Sequence, residues 1–175
     1  MHTVHRHRGF TLIETMACLA LISLLIGLGL PSFKHLLRMT QVQTVMADIT
    51  ADFASARIRA ISRGTPVVVC PADALRCVND GDWTRGWMLF QDADRNQRPD
   101  TDSDVFRMHA PAAHGLRIVS SRGRPQLRYL PDGMSGGSNL TISICSGETL
   151  AGKLIVNNAG RVRSERADGS SSCPP

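Results

Sequence analysis

The chain has 175 residues, five of them cysteine, and a formal charge of +5. That length leaves room for one domain plus an anchor. The average composition hides two parts: residues 10–30 are almost wholly apolar, whereas the rest is polar, rich in Gly and Pro, and charged.

The chain begins Met-His-Thr-Val-His-Arg-His-Arg-Gly, a short basic leader of residues 1–9, and then turns apolar at Phe10. A secretory signal would place a small-residue cleavage site after the apolar stretch, but the stretch runs to Leu30 and meets Pro31. Phe10 to Leu30 is 21 residues, long enough to span a bilayer as a helix. Arg6 and Arg8 on its flank keep the N-terminal side cytoplasmic, which puts everything after Pro31 outside. Glu14 is the only charge within the segment, and a carboxylate in hydrocarbon costs at least ~2.5 kcal/mol. It either snorkels from near the helix end or pairs with an α-amino group made by cutting before Phe10.

Gly9-Phe10-Thr11-Leu12-Ile13-Glu14 behind a short basic leader resembles the class III signal of type IV pilins and type II secretion pseudopilins. The resemblance implies that a prepilin peptidase cuts after Gly9 and N-methylates Phe10. It also implies that Glu14 helps dock the subunit into a helical filament. Pro31 falls where pilin helices often bend, and it removes a backbone donor there. Loss of the leader removes Arg6 and Arg8 and lowers the formal charge from +5 to +3.

Beyond Pro31, residues 31–64 read as the outer, amphipathic half of the same helix. Val42, Val45, Met46, Ile49, Phe53, Ala56 and Ala60 recur at helical spacing, with Asp48, Asp52, Arg57 and Arg59 on the other sides. Gly64-Thr65-Pro66 stops it. Such a stripe is core and carries no chemistry.

Residues 65–175, about 110 residues, can bury a modest core. Short β-type runs are expected at 67–70, 87–90, 105–108, 116–119, 126–130, 140–145 and 153–157, separated by turn residues such as Asn79-Asp80-Gly81 and Pro131-Asp132-Gly133. The expected fold is α+β, with an antiparallel sheet region laid over the outer half of the helix. Cys70, Cys77, Cys145 and Cys173 read as two disulfides made in an oxidising periplasm. Three pairings are open; the short Cys70–Cys77 loop favours that pair, with Cys145–Cys173 stapling the Ser-rich tail. A zinc site lacks the close CxxC pair it would need.

Trp83-Thr84-Arg85-Gly86-Trp87 after a cysteine pair, followed by an Asp-rich loop, resembles the globular domain of the minor pilins FimT and FimU and the pseudopilin GspH. The Asp-rich run is Asp92, Asp94, Asn96, Asp100, Asp102 and Asp104. Its opening matches an EF-hand loop, but Gln97 stands where the glycine should follow and Ser103 where the bidentate Glu should be. Carboxylates there also cap turns. No metal or cofactor is assigned.

An enzyme needs a nucleophile, a base and an orienting group. None of Gly-x-Ser-x-Gly, His-Glu-x-x-His or a phosphate loop occurs. His2, His5 and His7 leave with the leader, His35 sits at the membrane edge, and His109 and His114 flank a Pro-containing turn without an evident partner. No catalytic residue is assigned.

Charge is uneven. Residues 73–104 carry eight Asp against four Arg, whereas residues 105–175 carry eight Arg and one Lys against two Asp and two Glu. A basic half within an unremarkable whole fits a directed surface and equally a solvated surface that happens to be basic. Gly160 allows a tight turn, after which Arg161 and Arg163 alternate to one face of an extended chain about 6–7 Å apart, comparable to successive phosphates. A solvated edge strand, charged against aggregation, would look the same. Gly160-Arg161-Val162-Arg163 before the final cysteine resembles the Gly-Arg-x-Arg motif of FimT-type pilins that bind DNA in natural transformation, which implicates Arg161 and Arg163. Lys153 and Arg166 join them on charge alone, and Arg122 and Arg124 form a second candidate contact loop.

The expectation is a minor type IV pilin that binds double-stranded DNA without reading its sequence. Its other partners would be major and minor pilins, prepilin peptidase and the inner membrane. It would begin as a single-pass inner-membrane protein with a periplasmic domain and end in a cell-surface pilus. The alternative is a structural minor pilin or type II secretion pseudopilin that primes filament assembly without binding DNA.

Overall fold

A computed structural model describes residues 11–174, without the side chains of residues 28–32 and 35. Gly9 and Phe10, with the expected cleavage and methylation, lie outside the described residues. The chain divides into two compact units, the first ending at Met39 and the second running from Thr40.

In the first unit the described residues are almost all helical, the start of α1 (Leu12–Arg63). Thr11 caps this start: its carbonyl and its Oγ1 both accept from the Glu14 N–H, at 3.1 and 3.3 Å. Thr11-x-x-Glu14 is therefore also a capping-box spacing. Leu12, Ile13, Leu19, Leu25 and their apolar neighbours are exposed. Among the described residues no helix is long and apolar enough to cross a membrane. The expected 10–30 span includes Phe10 and the side chains of 28–30, which lie outside them.

Among the described residues the second unit holds the rest of α1 and nine strands: β1 (Val67–Asp73), β2 (Arg76–Cys77), β3 (Trp87–Gln91), β4 (Val105–His109), β5 (Leu116–Ser120), β6 (Leu127–Tyr129), β7 (Leu140–Ser146), β8 (Thr149–Val156) and β9 (Val162–Arg166). They form two sheets. One has the order β2-β1-β3-β4, with β6 also paired to β1; the other has the order β5-β7-β8-β9. Every pairing is antiparallel. The helix ends at Arg63 because Gly64 takes φ +63°, the left-handed position that terminates helices, and Pro66 cannot continue it.

Val42, Met46, Ile49, Phe53, Ala56 and Ala60 are all buried, and they form one core with residues of both sheets such as Val69, Leu89, Ile142 and Leu154. Ile49 and Phe53, fully buried, contribute about 1.5–3 kcal/mol each by leaving water. A second cluster, including Val68, Met88 and Phe90, lies outside that core. Cys70 is joined to Cys77 and Cys145 to Cys173.

Three expectations need correction. Asp52, placed by spacing on an exposed side of the helix, is fully buried. It flanks the apolar stripe one residue from Phe53, and there Trp87 Nε1 donates to it at 2.7 Å and Arg107 Nη1 at 2.8 Å. His109, expected to lack a partner, lies with Nε2 2.8 Å from the same carboxylate and stacks on Trp87 with ring centroids 4.5 Å apart. The strand expected from 153 starts at Thr149 instead, running through Gly152. Helix and strand approach closely there, since a Cβ on Gly152 would lie 2.6 Å from Met46 Sδ.

Candidate functional site

The turn from β8 into β9 is fixed at each of its residues. The Asn157 N–H donates to the Arg161 carbonyl at 3.2 Å, and the Gly160 N–H to the Asn157 carbonyl at 2.9 Å. The Asn157 side chain accepts from the Arg161 N–H at 3.0 Å. Three other segments grip the turn from outside. Arg57 Nη2 on α1 donates to the Ala159 carbonyl at 3.1 Å, Tyr129 Oη donates to the Gly160 carbonyl at 3.3 Å, and the Ser135 N–H donates to the Asn158 carbonyl at 3.0 Å.

Gly160 is demanded twice. Its φ is +73°, and a Cβ would stand 2.3 Å from the Gly133 carbonyl oxygen and 3.0 Å from the Tyr129 ring. The glycine of Gly160-Arg-x-Arg thus lets the turn press against the domain, and the arginines leave from a stiff base.

β9 is the edge strand of its sheet. Period-2 alternation sends Val162, Ser164 and Arg166 to one face and Arg163 and Glu165 to the other. Val162 packs on the core. Arg166 accompanies it, lining a groove with Ser164 and the helix residues Gln43, Met46 and Ala47. Arg163 and Glu165 share the outer face with Lys153, which is the cross-strand partner of Glu165. Arg163 Nη2 lies 2.8 Å from Glu165 Oε1, and Lys153 Nζ lies 3.4 Å from Glu165 Oε2. Arg161, exposed at the mouth of the strand, has no ion pair among the described residues. The fold therefore brings Arg163 and Lys153 together around the Glu165 carboxylate, leaves Arg161 exposed where the turn enters the strand, and turns Arg166 to the other face.

Arg122 and Arg124 are separated by Gly123 and differ in exposure. Arg122 is exposed, whereas only 8% of Arg124 is. Arg124 Nη2 donates to Ser135 Oγ at 2.6 Å and to the Gly136 carbonyl at 2.7 Å, and burial holds its guanidinium below the usual arginine range. Its contacts brace the loop whose Ser135 holds Asn158, so it serves the turn from beneath. Burial likewise pushes the Tyr129 phenol up to about 12.

The Asp-rich loop is closed by its own side chains. Asp92 is buried and accepts from the Gln97 N–H at 2.9 Å, while the Asn96 amide donates to Asp94 at 2.6 Å and to Asp100 at 3.2 Å. Gln97, at the EF-hand glycine position, takes φ +65°. Among the described residues no group of three or more His, Cys, Asp or Glu is placed to hold a metal ion.

The fold has solved counterparts. Two crystal forms of the type IV minor pilin FimU of Pseudomonas aeruginosa PAO1 align at 18% identity, with TM-scores of 0.56 and 0.59. They cover 75% and 77% of this chain and 96% and 93% of that one. The minor pseudopilin EpsH from the type 2 secretion system of Vibrio cholerae aligns at 18% identity with a TM-score of 0.51, covering 72% of this chain and 97% of its own. No curated protein sequence matches. The prokaryotic N-terminal methylation motif matches residues 4–30, and the profile of the type II transport protein GspH matches residues 46–160. With that profile running through more than half of its length, the chain belongs to the GspH family and is a minor pilin or pseudopilin.

Proposed function

We propose that this chain is a minor type IV pilin that captures extracellular double-stranded DNA, without reading its sequence, for uptake in natural transformation. The observation that supports it is the outer face of β9, where Arg161 and Arg163 leave a stiff Gly160 turn beside Lys153. Guanidinium groups fork onto phosphate oxygens, and contacts of that kind position a duplex without discriminating bases. In this reading the leader is cut after Gly9, Phe10 is N-methylated, and residues 10–30 wait in the inner membrane with the domain in the periplasm. Glu14 then pairs with a newly made N-terminus during assembly with other pilins into a cell-surface pilus.

The test is duplex binding by the full chain in detergent, with and without Arg161→Ala and Arg163→Ala. The double variant loses most affinity at low salt; wild-type affinity in it would sink the proposal. A second reading has its own support. Glu165 offsets part of the basic face, and the GspH profile and EpsH fold fit a pseudopilin that primes assembly and touches only pilins. Deletion of the gene separates the two: transformation lost with pili intact supports DNA capture, whereas pili or secretion lost supports the assembly role.

A further inference from the structure

We infer that Glu165 is a built-in competitor for phosphate, which keeps Lys153 and Arg163 partly neutralised and holds this face to weak, readily reversed DNA binding. The inference rests on the reading of the face as a DNA contact. Its basis is the register. Glu165 sits two residues from Arg163 along β9 and directly opposite Lys153 on β8, so one carboxylate reaches both cations. One oxygen takes Arg163 at 2.8 Å and the other lies 3.4 Å from Lys153.

A phosphate approaching the face meets a carboxylate already occupying the position between the two cations. It must displace that carboxylate or bind beside it against its charge. The pair can yield, because the Arg163 side chain is 70% exposed and exposed ion pairs hold weakly. Glu165 also orders the two side chains, which favours a following ligand. That benefit is small for groups this exposed, so repulsion prevails. Arg161, without such a partner, makes the first phosphate contact; Arg163 and Lys153 contribute only as Glu165 gives way.

The test is duplex binding by the full chain in detergent across a salt series, for Glu165→Gln, Glu165→Asp and Asp102→Asn. Glu165→Gln keeps the shape and removes the charge. It should tighten binding about two- to fivefold at low salt, the scale of one surface ion pair, with unchanged thermal stability. It should also steepen the plot of log affinity against log salt by about 0.9 for each further phosphate neutralised. Glu165→Asp, still charged, should stay near wild type. Asp102→Asn removes the same charge from the Asp-rich loop and should change little. Equal tightening by Asp102→Asn would overturn the inference, since bulk charge would then explain both. So would unchanged or weakened binding in Glu165→Gln while Arg161→Ala/Arg163→Ala loses affinity, an outcome that leaves the DNA reading standing. If the arginine variant also binds like wild type, the DNA reading itself fails.

Discussion

Tyr129 is the only tyrosine in the chain, fully buried, and its hydroxyl donates to the carbonyl of the glycine on which the basic turn pivots. Burial disfavours the phenolate and raises the phenol to about 12, with Arg57 and Arg124 opposing the shift. An unfolded chain releases the same proton near pH 10. Below about pH 10 both states keep the proton and this group adds no pH dependence. Between about 10 and 12 the native state binds one more proton than the unfolded state, so stability falls by about 1.4 kcal/mol per pH unit. Tyr129→Phe removes that contribution, and its unfolding free energy should decline less steeply across the same window. Denaturant titrations at several alkaline pH values check the slope, and phenolate absorbance in the wild type reports Tyr129 without interference. Phenolate appearing near pH 10 in the folded protein would overturn the prediction.

At the scale of elements, Asp52 joins α1 to β3 and β4. One fully buried carboxylate meets Trp87, Arg107 and His109. Removing it leaves the indole N–H without its acceptor and a guanidinium without its counterion. Because the Arg107 side chain is 49% exposed, it can rehydrate, which puts the cost of Asp52→Ala near the low end of a broken buried pair, about 3 kcal/mol. Urea unfolding followed by tryptophan fluorescence measures this; a loss below about 1 kcal/mol would show that the network is dispensable.

The apolar stripe of α1 and its stop at Gly64 were legible in the sequence because helical periodicity and terminators are local signals. So were β3, β5 and β7, which are dense in β-forming residues, and the glycine turn at 160. Asp52 and His109 were not, because what makes each belong inside is the other, 57 positions along the chain. β9 was legible as an extended, charged segment after Gly160, but its pairing was not, because Val-Arg-Ser-Glu-Arg has little β character of its own and is held through β8. The same dependence on register concealed Glu165 as a partner of Lys153 and Arg163, and loop packing concealed the burial of Arg124. Local pattern revealed the elements and the motif; it could not reveal which charges the motif shares.

For the whole molecule, charge is divided along the chain, acidic through residues 73–104 and basic through 105–175. A net charge this modest does not attach DNA by itself, so the number of phosphates met at the β9 face decides the salt response. In the proposed DNA-capture role, Arg161 would meet one phosphate, and Arg163 and Lys153, each paired with Glu165, would meet one or two more. Two to three neutralised phosphates give a slope of log affinity on log salt of about −1.8 to −2.7, and raising salt from about 50 to 200 mM then weakens binding about 10- to 40-fold. A larger basic footprint, recruiting Arg166 and Arg122 as well, would give a slope steeper than about −3.5. Affinity measured on duplexes of different sequence at each salt concentration checks both properties at once. The slope should be shared by all sequences, since phosphate contacts carry no base information. A shallow slope with sequence-dependent affinity would place recognition in base edges and away from this face. A chain that serves filament assembly alone would show no duplex binding to titrate at any salt.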